Sequence, residues 1–324
     1  MKEPTYIPPF KVSSEAINLV AEISAQVERY AIRLEQEDGL RLRKANRIKT
    51  IHSSLAIEGN TLSEDEVRDI IDGKDVVAPI RQIQEVKNAI KTYELYPELD
   101  AFNEKDLLKA HGVMMQALVD DAGRYRRGGV GVFGNQGLIH LAPPADRVPM
   151  LMRDLFGWLK KSKDHLLIRS CVFHYEFEFI HPFIDGNGRM GRMWQTLLLM
   201  QWNPIFAWIP VESIVKEHQQ EYYDVIAQSD SEANSTSFIA FMLRCLKQAL
   251  KEMKESNQKG NPKSNQKILM AMRENPNITI KELQEITGLS ESGVKKNIRQ
   301  MREGGIVSRV GGAKGGHWLI NSKS

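Results

Sequence analysis

Apolar residues recur at helical spacing through most of the chain, and the breaks fall at a few clusters of proline, glycine and asparagine. From Arg169 to Ile180 the spacing predicts a helix. Pro182 should end it, because a proline ring clashes with the carbonyl four residues back and restricts its predecessor. Asp185-Gly186-Asn187-Gly188 is a cluster of turn formers, and Arg189 to Met200 resumes a helix. His181 is thereby placed at a helix end beside a loop, and Gly186, Asn187 and Gly188 fall where backbone N–H groups lack intrahelical partners. A further helix starts near Leu40, with Gly59 as its C-terminal stop. After Gly123-Arg124-Tyr125-Arg126, the stretch from Val130 to Phe133 breaks the helical pattern with β-favouring residues, and Pro143-Pro144 closes the excursion. Gln219-Gln220-Glu221-Tyr222-Tyr223 lies on another helical segment.

The pattern changes past Lys254. Residues from Lys254 to Gln266 are polar and turn-rich, which predicts a linker over 254–265. Gln266 to Arg273 reads as a short helix. Thr279, three residues before Glu282, begins another through Ile286, with Gly288 as its stop. Ser290 caps a third helix to about Glu303, and Ile306 to Val310 and His317 to Ile320 read as two strands around a glycine-rich turn. This order resembles a winged helix-turn-helix. Lys295, Lys296, Arg299 and Arg302 on its third helix, with Arg309 and Lys314 on the wing, could meet phosphates, while such modules also position protein partners or dimerise.

The chemistry concentrates between His181 and Arg192, where a base, a hard-cation ligand, an anion-binding turn and two cations fall within twelve residues. Glycines let a phosphate approach the backbone, and the positive end of the following helix dipole favours its charge. Arg189 and Arg192, at i and i+3, share a face of that helix's first turn, where cations are normally disfavoured, so a polyanion is expected there. Upstream, His174, Glu178 and His181 share one helix face, a spacing open to metal binding or to a buried hydrogen-bonded pair that supports His181 from behind. Ser54 and Glu58 are i,i+4 neighbours. A glutamate in a last helical turn faces the negative end of the dipole at a cost of about a few tenths of a kcal/mol, so Glu58 should face something positive.

The run His181-Pro182-Phe183-Ile184-Asp185-Gly186-Asn187-Gly188-Arg189-Met190-Gly191-Arg192 is similar at every specified position to the Fic family motif His-Pro-Phe-x-Asp/Glu-Gly-Asn-Gly-Arg-x-x-Arg. The resemblance implies a mainly α chain: a Fic-type helical bundle with a short β-hairpin flap, plus a small C-terminal winged helix-turn-helix domain. It implies transfer of AMP from ATP to a Ser, Thr or Tyr hydroxyl of a protein. By the same resemblance His181 is the catalytic base, Asp185 holds Mg²⁺, and Gly186, Asn187, Gly188, Arg189 and Arg192 hold phosphates. Ser54 to Asn60 is similar to the family's inhibitory motif, which implies that Glu58 pairs with Arg192 and leaves ATP in a non-productive pose. Val130, Gly131, Val132 and Phe133 match the flap that docks the target by strand pairing, with extra length from Gly134 to His140. Tyr222, Tyr223 and Asp230 match the adenine side. Alternative functions are removal of AMP from a modified protein, with Glu58 orienting water, and a nucleotide-sensing DNA-binding regulator.

Composition bounds the rest. At 324 residues the chain has room for an N-terminal helical extension (1–64), a Fic core (65–253) and the C-terminal module (266–324). No apolar run reaches the ~18 residues of a membrane span, and Met1-Lys2-Glu3-Pro4-Thr5 lacks an apolar signal region, so a cytoplasmic protein without membrane contact is expected. Cys171 and Cys245 sit inside apolar helical patterns, which fits a reducing compartment. Residues 260–324 carry net charge +6 and the first 259 residues −3, which makes the tail the basic piece. The expected partners are ATP, a protein with an exposed hydroxyl, this chain itself included, DNA through residues 266–324, and a second copy in a homodimer.

Overall fold

Helices build the first of two units into which the chain divides, with the boundary between Leu250 and Lys251. The computed structural model describes residues 6–34, 39–134, 137–311 and 316–321. In chain order the first unit holds α1 (Ser14–Leu34), α2 (Gly39–Ile57), α3 (Glu64–Ile71), α4 (Ile80–Glu94) and α5 (Glu104–Met114). A hairpin of β1 (Gly131–Gly134) and β2 (Gly137–Leu141) follows, then α6 (Val148–Lys161), α7 (Leu166–Ile180), α8 (Asn187–Met200), α9 (Val211–Glu217), α10 (Gln219–Glu232) and the first part of α11 (Thr236–Glu274).

α7 is the axis of this unit. Leu167, Cys171, Val172, Phe173 and Phe177 are buried, and so are His174, Glu176 and Glu178, so the helix is enclosed all round rather than along one stripe. Each large apolar side chain so covered contributes ~1.5–3 kcal/mol, which fixes the helix far more firmly than its propensity could. It ends as the proline predicts: the His181 N–H donates to Phe177 O at 2.9 Å, and His181 itself takes left-handed backbone angles, φ 49°. α8 packs against α7, and Trp194 on α8 donates from Nε1 to Ala101 O at 3.1 Å. α2 packs on α9 and touches α8, which carries Ser54 and Glu58 to the start of α8.

The hairpin pairs antiparallel, Gly131 with Leu141, Val132 with His140, Phe133 with Leu138 and Gly134 with Gly137, with a bulge between Val132 and Phe133. The segment from Gly137 that reads in sequence as extra flap length is therefore the returning strand. Among the described residues, no helix is long and apolar enough to cross a membrane. Cys171 and Cys245 are free and buried, and burial pushes both thiols up to about 12.

The second unit contains the end of α11, α12 (Ile280–Thr287), α13 (Glu291–Glu303), β3 (Val307–Val310) and β4 (His317–Ile320). Local rules account for it closely. Thr279 and Glu282 form a reciprocal capping box, Gly288 ends α12 in the left-handed region, and Ser290 Oγ accepts from Gly293 N at 3.2 Å to start α13. Ile268, Met272, Leu283, Val294, Ile298 and Trp318 meet in its core, and Trp318 Nε1 donates to Ile278 O at 3.1 Å. β3 and β4 pair antiparallel to complete a winged helix-turn-helix; Lys314 lies outside the described residues. The expected linker, 254–265, lies within α11, just past the boundary between the two units.

Candidate functional site

His181 sits at the C-terminus of α7, and its side chain is 17% exposed. Its Nδ1 is 3.3 Å from the Glu178 carbonyl. A carbonyl only accepts, so Nδ1 carries the proton and Nε2 is left as the basic nitrogen. Burial pushes the imidazole below its ordinary pKa, against the pull of the Glu178 carboxylate 3.9 Å from Nδ1, so the ring is neutral and ready to accept a proton near neutral pH. Behind it, His174 Nδ1 meets Gln195 Oε1 at 2.7 Å, and His174 Nε2 lies 3.0 Å from the Tyr222 hydroxyl and 3.6 Å from Glu178. His174 and Glu178 thus form a buried polar brace for the end of α7.

The loop after His181 is held by its own side chains. Asn187 Oδ1 accepts from Phe183 N and its Nδ2 donates to Phe183 O, both at 2.9 Å, which closes the turn. The side chain of Asn187 is therefore spent on the loop, and only its main chain is placed to face a phosphate. Gly186 has φ 85°, a conformation that favours glycine, and a Cβ there would come 2.6 Å from Met115 Sδ, so the Met115 side chain would have to shift as well. α8 begins immediately afterwards and presents its N-terminal amide groups and positive dipole end to the loop.

Asp185 is 39% exposed and held from three sides. Oδ1 accepts from Gly186 N at 2.6 Å and Arg189 Nη2 at 2.8 Å, and Oδ2 from Arg81 Nη2 at 3.3 Å. The Asp185 carbonyl meets His111 Nε2 at 3.1 Å. Gly123 N donates to the other ring nitrogen of His111 at 2.9 Å, so Nε2 bears the proton, and burial, which pushes this imidazole down to about 4, keeps it neutral. The His111 ring stacks on Phe183 at 3.6 Å and 5°. Asp185 is thus an exposed oxygen donor at the loop that a hard cation could use; among the described residues no group of three or more His, Cys, Asp or Glu side chains is placed to hold a metal ion. Mg²⁺ takes one or two protein carboxylates and completes its shell from phosphate and water.

Arg189 is buried and also lies 3.8 Å from Glu85. Arg192, 3% exposed, points toward α2: its Nη2 donates to Glu58 Oε1 at 2.7 Å and to Ser54 O at 3.0 Å, and its Nε to Ser54 Oγ at 3.3 Å. Burial opposes the charge of this guanidinium, but the Glu58 carboxylate together with Tyr222 and Glu178 more than offsets that and holds its pKa above the ordinary value. The carboxylate reaches further still. A Cβ added to Gly188 would collide with Glu58 Oε1 and fall 2.9 Å from Arg192 Nη1, so Glu58 occupies the space directly over the anion loop. α2 is fixed there by Gln219, whose Nε2 donates to Ile57 O at 3.1 Å.

The adenine-side expectations separate. Tyr222 is buried, with its hydroxyl on His174, so it lies in the core. Tyr223 is half-buried and its hydroxyl accepts from Gln219 at 3.4 Å, close to the end of α2; Asp230 accepts from Tyr175 at 2.8 Å. Val130 leads into β1, which carries Gly131, Val132 and Phe133. His111, Arg81 and Glu85 escaped the sequence reading, because each reaches the loop from a distant helix and none carries a local signature.

A family profile described as Fic/DOC family matches residues 101–199, and one described as winged helix-turn-helix DNA-binding matches 263–308. The crystal structure of a Fic family protein from Desulfovibrio desulfuricans G20 is 43% identical, with a TM-score of 0.77 over 98% of this chain and 99% of that one. Proteins named protein adenylyltransferase Fic are similar at 32% identity in Culex quinquefasciatus and 30% in Aedes aegypti, over 65% and 69% of this chain. The chain matches only 42% and 45% of the length of those two relatives. With the motif, the helical fold around α7 and α8 and these likenesses together, the chain belongs to the Fic/DOC family.

Proposed function

We propose that this chain is a protein adenylyltransferase, which moves AMP from ATP to a Ser, Thr or Tyr hydroxyl of a target protein, itself included, and is held back by Glu58. The observation that carries the reading is a neutral His181 with no partner at Nε2 among the described residues, set at one end of a loop whose other end presents α8 amides, Asp185 and the buried guanidinium groups of Arg189 and Arg192. The name borne by the relatives supports it. Attack at phosphorus asks a protein for positioning and charge neutralisation more than for covalent chemistry, and those are the groups assembled here. The target hydroxyl oxygen bonds to the α-phosphorus, the bond to the β-phosphate oxygen breaks, pyrophosphate departs, and His181 Nε2 takes the hydroxyl proton. Mg²⁺, when held by Asp185 and the phosphates, supplies charge neutralisation. The test is α-labelled ATP given to the Glu58→Gly chain: label on protein supports the reading, and no label on the chain or on lysate proteins refutes it.

Asp185 carries its own expectation. Asp185→Ala should remove most of the Mg²⁺ dependence of nucleotide affinity, measured with a fluorescent ATP analogue with and without the metal, because the remaining loop donors bind anions rather than cations. An unchanged Mg²⁺ dependence would take the metal away from Asp185.

For residues 266–324 the proposal is duplex DNA binding. Lys295, Lys296, Arg299 and Arg302 are exposed on α13, opposite the buried Val294, Ile298 and Met301. Four phosphate contacts imply affinity falling ~10²-fold between 50 and 200 mM salt. Fluorescence titration of the full chain should show that fall, and Lys296→Ala with Arg299→Ala should reduce the salt slope by about two. No binding to any duplex at low salt would reassign the module to protein contacts.

A further inference from the structure

Arg126 is a buried cation, 3% exposed, just ahead of the flap. Among the described residues its guanidinium donates only to backbone carbonyls. Nε reaches His181 O at 2.7 Å, Nη1 reaches Gly128 O at 2.9 Å, and Nη2 reaches Pro143 O at 2.5 Å and Ile180 O at 3.3 Å. Its own N–H donates to Pro182 O at 2.9 Å. The acceptors fall into two groups: Ile180, His181 and Pro182 are the end of α7 and the start of the phosphate loop, whereas Gly128 and Pro143 bracket β1 and β2.

The carbonyls at the end of α7 have no intrahelical donors and lie at the negative end of the helix dipole, so a cation there is favoured. A planar guanidinium can serve carbonyls on several sides at once, which a single ammonium on a flexible stem cannot. Burial lowers the pKa of Arg126, so the charge is kept in an unfavourable place by the contacts it makes.

We propose that Arg126 is a positioning residue: it ties both ends of the flap to the carbonyls of Ile180, His181 and Pro182 on which His181 sits, so that the strand registering the target and the base acting on it share one rigid frame. This rests on the adenylyl-transfer reading. A target hydroxyl aligned by main-chain pairing to β1 must arrive within hydrogen-bond reach of Nε2, and a displacement of ~1 Å between the two can cost ~10²-fold in rate. Among the described residues the Arg126 guanidinium meets main-chain carbonyls and not the His181 ring, so it acts through the backbone on each side.

The experiment compares Arg126→Gln and Arg126→Lys, both in the full-length chain carrying Glu58→Gly. Self-modification by α-labelled ATP is measured across ATP concentrations, together with affinity for a fluorescent ATP analogue and backbone hydrogen exchange. In Arg126→Gln the expected result is kcat lower by ~10²-fold at unchanged KM for ATP and unchanged nucleotide affinity. Arg126→Lys should recover part of the rate, since it retains the charge at the helix end. Exchange should quicken together in residues 127–143 and 181–186 and stay unchanged in α6. The proposal is overturned if kcat is retained, if the loss lies in KM for ATP, or if quicker exchange stays on the flap side with 181–186 as before. If the Glu58→Gly chain transfers no AMP to begin with, adenylyl transfer fails, and the joint exchange response of flap and loop still decides the coupling.

Discussion

His181→Ala is expected to lower AMP transfer by ~10²–10⁴-fold while leaving ATP and Mg²⁺ binding in place. The separation follows from where the ring points its chemistry: Nδ1 is engaged with the Glu178 carbonyl and Nε2 is the nitrogen left for the hydroxyl, whereas the residues proposed for phosphate and metal, Asp185, Arg189 and Arg192, are separate side chains that do not depend on the ring. Isothermal titration of nucleotide beside a transfer assay checks both halves, and a variant keeping more than about a tenth of the rate would remove His181 from the base role. The pH profile gives an independent reading. Burial disfavours the imidazolium, so the folded pKa lies below the ~6.5 of an unperturbed histidine. The active form is the deprotonated one, so kcat/KM should rise with pH and level off, with its midpoint below that value.

The part of the site legible in the sequence is the part whose chemistry is contiguous. From His181 to Arg192 the candidate residues fall within one turn and one helix start, and rules for prolines, turn formers and helix N-termini apply locally. Ser54 and Glu58 were visible for a different reason, namely that a glutamate at a helix end makes little sense unless a cation faces it. Arg192 is that cation, 134 residues away. No local rule reaches His111 or Arg81, whose contacts with Asp185 span 74 and 104 residues. A histidine inside an apolar helical pattern reads like any other core residue until its neighbours are known. Tyr222 illustrates the converse, because aromatic side chains at helical spacing suit a core as well as a ligand wall, and burial on His174 is what the packing selects.

The fold divides along the same line. In the second unit the cap at Thr279, the stop at Gly288 and the cap at Ser290 all act within four residues, and their helices form as composition suggests. The flap's returning strand was harder to see because strand preference depends on what lies across the hairpin, and Gly137 to Leu141 gains its partner only through the turn.

Glu58→Gly should raise AMP transfer, to the chain itself or to an added target, by one or more orders of magnitude. The carboxylate takes Arg192 Nη2 and covers Gly188 at once, so under the proposed function it would deprive a phosphate of its cation partner and of part of its space. A triphosphate bound under those conditions would be displaced, and a displacement of ~1 Å at the reacting phosphorus costs ~10²-fold. Removing the carboxylate returns both the guanidinium fork and the space. Arg192→Ala added to Glu58→Gly should therefore lose the gain, because the freed arginine is what the first change makes available. Glu58→Asp, shorter by one methylene, should be partly active. Transfer assays with α-labelled ATP on the four chains check this ordering. Should Glu58→Gly leave transfer unchanged or lower while an AMP-modified target accumulates, Glu58 is not an inhibitor and its carboxylate belongs to orienting water for the reverse removal of AMP.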